Sequence, residues 1–269
     1  MTAPTLAFIG GGNMAGAIFG GLVRSGWPAA QIIVVEPSAE QRERIAATCP
    51  AVRLLAQADA SLAGASVMVW AVKPQTFAEA VTPCAAWVRG ALQLSVMAGI
   101  RSETLVHATG SERVVRAMPN TPALIGQGIA GLFARDAVSA ADRDVVEQVL
   151  APTGQLLWVA HEADLDAVTA LSGSGPAYVF YFIEAMIEAG VQMGLSAEQA
   201  RQLAQQTFVG AGALAQHSGE PVALLRARVT SKGGTTQAAI ESLEASQVRV
   251  AIVQAARAAQ ARAVELGRS

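Results

Sequence analysis

Short, almost unbroken apolar runs alternate with helix-like segments through the first half of the chain. Such runs are typical of strands buried on both faces, because a strand in a parallel sheet has helices above and below it. The alternation therefore predicts an α/β fold with a doubly wound parallel sheet. The strongest runs lie at 5–10, 31–36, 66–72 and 91–99, and shorter ones at 112–120 and 128–134 could continue the sheet.

Helical periodicity replaces the apolar runs after about residue 160. We therefore predict two domains, a sheet domain over 1–160 and an all-α domain over 161–269. The most apolar later stretch, 176–194, contains Glu184 and Glu188, so we predict a buried helix there rather than a membrane span. Further helical segments are predicted at 196–217, 221–227 and 234–266.

The segment GGGNMA at 10–15 has the spacing G-x-G-x-x-A and lies between a predicted strand and a predicted helix. Gly10 would make the tight turn, Gly12 would let the backbone approach a pyrophosphate, and Ala15 is small enough for helix and strand to pack. Because strand, turn and helix occur in the required order, we favour a dinucleotide site over a glycine-rich turn without a ligand.

Glu36 stands at the end of the second predicted strand, the position that selects between dinucleotides. A carboxylate there can accept hydrogen bonds from the ribose hydroxyls and would repel a 2′-phosphate, which favours NAD. Arg42 and Arg44 follow on the next helix and could instead meet a 2′-phosphate or lie in solvent. The sequence therefore leaves the choice between NAD and NADP open.

Composition restricts the kinds of partner that the chain is expected to bind. The chain is 52% hydrophobic and only 15% charged, which hints at surface buried between subunits, and its net charge of −2 gives no reason to expect nucleic acid or an anionic membrane. Cys49 and Cys84 have neither disulfide nor metal spacing, and no His/Cys/Asp cluster indicates a metal site. The first residues run into a strand without a signal-peptide pattern, so we expect a cytoplasmic protein.

A second glycine-rich segment, RVTSKGGTTQAAI, occupies 228–240. Backbone N–H groups of Gly233 and Gly234 at a helix start, together with nearby hydroxyls, would suit a carboxylate. The alternative is an ordinary helix N-terminus capped by Ser or Thr. None of the three histidines lies in a site-like stretch, so we also consider a protonated imine as substrate, since it accepts hydride without a strong acid.

Five motifs occur in an order that resembles the pyrroline-5-carboxylate reductase family over nearly the full length. They are FIGGGNMAGAI, AVKP, RAMPNTPAL, SGSGPAYVF and TSKGGTTQAAI. The resemblance implies an N-terminal Rossmann domain and an all-α C-terminal dimerisation domain. It also implies hydride transfer from NAD(P)H to the imine carbon of 1-pyrroline-5-carboxylate, which gives L-proline in the last step of proline biosynthesis. Relatives form homodimers, and some assemble into decamers.

The resemblance also implies roles for particular residues. Thr169 matches a hydroxyl near the imine nitrogen and is the catalytic candidate. The substrate carboxylate would be held by Ser231, Gly233, Gly234, Thr235 and Thr236. The cofactor would be held by Ile9, Gly10, Gly11, Gly12, Asn13, Met14, Glu36, Ala71, Val72, Lys73, Pro74, Val96, Met97, Ala98 and Asn120. Of these, the resemblance implies that Val96, Met97 and Ala98 lie near the nicotinamide.

Two positions depart from the family pattern. Glu36 replaces a small hydroxyl residue, so NADPH preference does not carry over, and Lys232 stands where many relatives have proline. Two other functions fit parts of the sequence: a related reductase for another cyclic imine or a hydroxy acid, and a dinucleotide-binding protein without catalysis. A hydroxy-acid enzyme should carry Lys or His within 176–194, which has neither, and loss of the carboxylate loop would favour the non-catalytic protein.

Overall fold

The computed structural model describes residues 3–267 of the chain. They divide into two compact units, one reaching to Ser174 and including the residues from Ala259 onward, the other spanning Gly175–Ala258. The predicted boundary at residue 160 differs from this division. Residues 161–174 belong to the first unit because Glu162 and Asp166 are bonded to its arginines.

The first unit is built on one eight-stranded sheet with the order β3-β2-β1-β4-β5-β6-β7-β8. Neighbouring strands are parallel except β6 and β7, which are antiparallel. The predicted doubly wound parallel sheet is thus confirmed, with an antiparallel step near one edge. The strands are β1 (Leu6–Ile9), β2 (Ile32–Val35), β3 (Arg53–Leu55), β4 (Val67–Trp70), β5 (Leu92–Ser95), β6 (Val114–Met118), β7 (Gly128–Ala134) and β8 (Gly154–Trp158).

Helices cover the sheet, and two of them begin at a serine cap. Ser38 accepts a hydrogen bond from the Gln41 N–H, and Ser139 forms a capping box with Asp142. A π-helix, Thr169–Gly173, follows α7 directly. The helices of this unit are α1 (Asn13–Arg24), α2 (Ala39–Thr48), α3 (Phe77–Val81), α4 (Ala85–Val88), α5 (Ser102–Thr109), α6 (Ala140–Leu150) and α7 (Asp164–Val168).

Both faces of the sheet are packed. Phe8 and Leu94 point into one core and Trp70 into the other, and all three are fully buried. One polar side chain is buried with them: Gln93 accepts from Trp70 Nε1 at 2.8 Å and donates to the Val88 carbonyl at 2.7 Å. This bonding satisfies an amide at 0% exposure and fixes β5, whose C-terminal end leads into the predicted nicotinamide segment.

The second unit is helical. Gln247, with φ 53°, separates α11 from α12, so the single helical region predicted over 234–266 is two helices. The last part of α12, from Ala259, belongs to the first unit. The remaining helices are α8 (Gly175–Gln192), α9 (Ala197–Ser218), α10 (Val222–Arg228), α11 (Thr235–Ala245) and α12 (Val248–Leu266).

The prediction of a buried helix at 176–194 is wrong for the single chain. Of α8 only Gly190 is buried, packed against Ala200 of α9, whereas Phe180 is 59% and Tyr181 is 71% exposed. The apolar pattern is present, but within residues 3–267 little surface covers it.

No helix within residues 3–267 is long and apolar enough to cross a membrane.

Gln93→Leu should lower the free energy of unfolding by about 2–4 kcal/mol, because Trp70 Nε1 would be buried without an acceptor and the Val88 carbonyl would keep only its bond from the Ala91 N–H. Gln155→Leu, an exposed change of the same kind on β8, is the matched control. Urea unfolding followed by circular dichroism measures both. Equal losses in the two variants would contradict this role of Gln93.

Candidate active site

The glycine turn after β1 has the geometry that a dinucleotide site requires. Gly10 has φ +97°, and a Cβ there would lie 2.7 Å from the Ala71 carbonyl oxygen, so only glycine fits. The Gly10 N–H donates to the Val35 carbonyl, and the Ala71 N–H donates to the Ile9 carbonyl. The turn is therefore held between the C-terminal ends of β2 and β4.

Helix α1 opens directly after this turn. Gly12 is its N-cap, has no side-chain cap and has open space where a Cβ would stand. Asn13 is exposed as the first helical residue, and Ala15 is fully buried against the sheet. The first N–H groups of a helix lack intrahelical acceptors, so this uncovered helix start fits a pyrophosphate.

Glu36 folds back onto the glycine turn. Its Oε2 accepts from the Gly11 N–H at 2.9 Å and its Oε1 accepts from the Ser38 N–H at 2.9 Å. The Gln41 amide closes the arrangement by donating to the Gly11 carbonyl at 2.7 Å. The carboxylate is therefore fixed beside the turn, while its oxygens keep capacity for further donors.

The two arginines considered for a 2′-phosphate already have partners. Arg42 Nη1 donates to the carbonyls of Glu36 and Pro37 at 2.7 Å and 2.8 Å. Arg44 is paired with Glu40 on the outer surface of α2. A 2′-phosphate would therefore have to compete with these acceptors for either guanidinium.

The other predicted cofactor residues lie along the same edge of the sheet. Lys73 is exposed, and its carbonyl accepts from both the N–H and the hydroxyl of Thr76. After β5, the Val96 N–H donates to the Trp70 carbonyl at 3.0 Å, and Met97 is buried. The structure thus brings the segments at 9–14, 71–74 and 96–98 to the C-terminal ends of three adjacent parallel strands, where dinucleotides bind.

Asn120 follows β6 and supports the connection to β7. Its Oδ1 accepts from the Ile129 N–H at 3.0 Å, and its carbonyl accepts from the Ala123 N–H. The side-chain oxygen is thus engaged in holding the loop.

Thr169 opens the π-helix that follows α7. Its hydroxyl donates to the Leu165 carbonyl at 2.7 Å, which leaves the oxygen lone pairs to accept another hydrogen bond. Single π-turns within helices occur often at functional sites. Met118 of β6 packs against Gly173, where a Cβ would lie 2.8 Å from the Met118 Cε. This π-helix therefore rests directly on the sheet.

A charged cluster that includes two acidic residues just before Thr169 in the chain escaped prediction from the sequence. Glu162 accepts from Arg116 Nη1 at 2.7 Å, from the Ser102 N–H at 2.6 Å and from the Ser102 hydroxyl at 2.7 Å. Asp166 accepts from Arg101 Nη2 at 2.8 Å. We call these five residues the Glu162 cluster. The sequence contains one indication of this cluster: Arg116 is a charged residue at an inward-facing position of the strand segment VVRAM.

The cluster is largely shielded from solvent. Arg116 is 4% exposed, and its Nε has no partner among residues 3–267. Burial lowers the pKa of Arg116, and its bond to Glu162 opposes this. Burial alone would raise the pKa of Glu162, but the bonds from Ser102 and Arg116 hold that pKa below its ordinary value. Glu162 therefore stays ionised at neutral pH and neutralises Arg116.

In the second unit, the loop before α11 differs from the expected anion grip. The Gly233 N–H donates to Gln237 Oε1 at 2.6 Å, and the Gly234 N–H donates to the Ser231 carbonyl at 3.0 Å. Both predicted donors are therefore already used. The first-turn N–H groups of Thr235 and Thr236 lack intrahelical acceptors and so remain open to another acceptor. Within residues 3–267 the hydroxyl of neither threonine forms a hydrogen bond.

The glycines shape this loop. Gly233 has φ +74°, and a Cβ at Gly234 would lie 2.5 Å from the Ser231 Oγ. Upstream, Arg228 makes two bonds to Glu220, which ties the end of α10 back to the end of α9. Lys232 is exposed, with no ion pair in the part of the chain that the structure describes.

Comparisons with known proteins agree with this arrangement. Residues 162–266 match the family model described as pyrroline-5-carboxylate reductase dimerisation, and residues 5–99 match one described as NADP oxidoreductase, coenzyme F420-dependent. A pyrroline-5-carboxylate reductase of Pseudomonas aeruginosa is 46% identical over 270 residues, covering 99% of this chain and 98% of that protein.

Two solved structures are similar over nearly the whole chain. A pyrroline-5-carboxylate reductase from Coxiella burnetii has a TM-score of 0.93 at 35% identity, covering 99% of this chain and 100% of that one. A Plasmodium falciparum pyrroline carboxylate reductase with NADP bound has a TM-score of 0.87 at 29% identity, covering 99% of each chain. The predicted combination of a Rossmann domain and a helical dimerisation domain is thereby confirmed.

Glu162→Gln should lower the free energy of unfolding at pH 7 by about 2–4 kcal/mol, because Arg116 would stay buried without its counter-charge. The folded-state pKa of Glu162 is lowered from 4.5. Its stabilising effect is therefore complete above that value and is lost as the pH falls through the folded pKa.

The difference between wild type and variant should accordingly shrink when urea unfolding is repeated near about pH 3. Glu103→Gln, at an exposed position of α5, is the matched control and should change little at either pH. If the unfolding free energies of wild type and Glu162→Gln differed by the same amount at both pH values, this would contradict the conclusion that Glu162 is ionised in the Glu162 cluster.

Proposed function

This chain belongs to the pyrroline-5-carboxylate reductase family, and from that premise we propose which of its residues perform each part of the reaction. The chain is an NAD(P)H-dependent oxidoreductase that reduces the C=N bond of 1-pyrroline-5-carboxylate and so forms L-proline. The observation that carries this conclusion is 46% identity over 99% of the chain. The related reductases also weigh against the hydroxy-acid and non-catalytic alternatives.

The glycine turn and its neighbours bind the dinucleotide. The open start of α1 at Gly12 and Asn13 supports pyrophosphate binding, and the segments at 71–74 and 96–98 lie at the same edge of the sheet. When bound, the cofactor supplies the hydride. Met97, buried behind that edge, helps to hold the segment in place.

Thr169 accepts a hydrogen bond from the nitrogen of a protonated imine. Its own proton is directed to the Leu165 carbonyl, so the hydroxyl acts as an acceptor rather than an acid. A substrate that already carries its proton needs orientation more than proton donation. This explains why none of the three histidines is required for the chemistry.

The substrate carboxylate binds at the start of α11. The free N–H groups of Thr235 and Thr236 and the hydroxyls of Ser231 and both threonines are suitable donors there. Gly233 and Gly234 serve the site by permitting the turn, with their own N–H groups engaged inside the loop.

NADH is the preferred cofactor. Glu36 is held beside the glycine turn by the Gly11 N–H, where its free lone pairs suit ribose hydroxyls and its charge opposes a 2′-phosphate. Arg42 and Arg44, the residues that could have reversed this preference, are bonded elsewhere.

The helical unit mediates a homodimer in the cytoplasm. The dimerisation model covers 162–266, and α8 exposes Phe180 and Tyr181. Cys49 and Cys84 are free thiols, which suits a reducing compartment. Five such dimers would assemble into a decamer. Light scattering distinguishes monomer, dimer and decamer, because the measured mass is compared with the 27.6 kDa mass of one chain.

Wild-type enzyme should oxidise NADH only when 1-pyrroline-5-carboxylate is present. Thr236→Val should raise KM for this substrate by roughly 10- to 100-fold, because one hydrogen bond to the substrate carboxylate is lost. Binding of NADH should be unchanged. Absorbance at the nicotinamide band measures both rates. Thr82→Val, which removes an exposed hydroxyl from the sheet domain, is the control. An unchanged KM in Thr236→Val would remove the loop from the substrate site.

Glu36→Gln should raise the ratio of kcat/KM for NADPH to that for NADH by about tenfold or more, because the like charge beside the 2′-phosphate is lost. Glutamine keeps an oxygen for the Gly11 N–H, so the turn is preserved. Glu40→Gln, on the exposed face of α2, should leave the ratio unchanged. The same ratio in wild type and Glu36→Gln would show that Glu36 does not select the cofactor.

A further inference from the structure

The segment after β5 is held from two sides within the first unit. On one side is α7, which leads into Thr169, and on the other is the end of α12. The proposed nicotinamide-side residues, 96–98, lie at the start of this segment. Its conformation therefore fixes how those residues stand relative to Thr169.

The end of α12 packs directly on the segment. Gly99 has φ +76°, and a Cβ there would lie 3.2 Å from the Leu266 carbonyl oxygen. A Cβ at Gly267 would lie 2.6 Å from the Arg101 Nε. A cation beside the last turn of a helix is electrostatically favourable, so Arg101 stabilises this contact.

Arg101 also connects the segment to α7. Its Nη2 donates to Asp166 Oδ2 at 2.8 Å, and the Asp166 side chain is 11% exposed. Asp166 is three residues before Thr169 in the sequence. The next residue, Ser102, bonds to Glu162 through both its N–H and its hydroxyl. Arg101 thus attaches the segment to α7, which leads into Thr169, and Ser102 attaches it to the stretch just before α7.

We propose that Arg101 is a positioning residue for hydride transfer: it fixes the spacing between the 96–98 segment and Thr169 by bonding Asp166 and packing against the end of α12. Arg101 contacts neither substrate nor cofactor in this role. The inference rests on the proposed function, since it takes 96–98 and Thr169 as the residues beside nicotinamide and imine.

The rate of hydride transfer is sensitive to such spacing. A displacement of about 1 Å, caused by a change away from the reacting atoms, can lower a rate by about a hundredfold. Binding of substrate and cofactor relies on other groups, the start of α11 and the glycine turn. Loss of Arg101 should therefore reduce kcat with little change in KM.

Wild-type enzyme, Arg101→Ala and Arg101→Lys are compared by steady-state kinetics with NADH and with NADH deuterated at the transferred position. Arg101→Ala should lower kcat about 10- to 100-fold, keep both KM values within about threefold, and raise the deuterium isotope effect on kcat. Arg101→Lys keeps a cation for Asp166 and should recover part of kcat.

Arg113→Ala is the matched control, because Arg113 forms an ion pair with Asp142 of the same unit away from the proposed site residues. It should leave kcat and the isotope effect as in wild type. A double-mutant cycle of Arg101→Ala with Asp166→Asn should show non-additive losses in kcat, as expected for two bonded residues.

A wild-type kcat or a wild-type isotope effect in Arg101→Ala would overturn the proposal, the latter because it indicates a structural role only. If Arg101→Ala does not fold, Asp166→Asn is subjected to the same measurements and the same criteria. Absence of turnover in the wild-type enzyme would contradict the proposed function itself, whereas turnover that is insensitive to Arg101 would contradict this inference alone.

Discussion

The arrangement around Thr169 depends on one constraint: the charge of Arg116 is buried on β6 and requires a carboxylate beside it. Glu162 meets that requirement and at the same time binds both donors of Ser102 at the start of α5. Leaving a buried charge without its partner is strongly unfavourable. The positions of β6, α5 and the stretch leading into α7 are therefore linked, although these elements are far apart in the sequence.

This linkage suits the chemistry of a protonated imine. Such a substrate does not need a strong acid, and Thr169 with its proton directed to the Leu165 carbonyl offers only an acceptor. Catalysis then rests on orientation, which requires rigid support more than reactive side chains. The Glu162 cluster supplies rigid support for the proposed catalytic residue Thr169, and Glu36 and the glycine turn form a separate, polar part of the proposed cofactor site.

Much of the fold followed from local patterns. The strand in the run at 5–10 and the helix after the G-x-G-x-x-A segment each depend on a few neighbouring residues, and the structure confirms both. β3 was missed because it has three residues and begins with an exposed arginine. β8 was missed because it is a short strand at the edge of the sheet, in which half-buried and exposed residues alternate.

Long-range features were less accessible to sequence reasoning. The Glu162 cluster joins residues more than 40 positions apart, and even over four residues the motif did not reveal that the Gly233 N–H donates to the Gln237 side chain. The exposure of α8 was mispredicted because an apolar pattern does not reveal which surface covers it. That missing surface agrees with the match of this region to a dimerisation model.

Transfer of deuterium from labelled NADH to the product shows whether hydride passes directly from the cofactor to the imine carbon. The enzyme is supplied with 1-pyrroline-5-carboxylate and NADH deuterated at the transferred position, and the product is analysed by mass spectrometry and NMR. Direct hydride transfer oriented by the protein predicts L-proline with one deuterium on the carbon of the former C=N bond. Unlabelled L-proline, or deuterium at another carbon, would contradict the account.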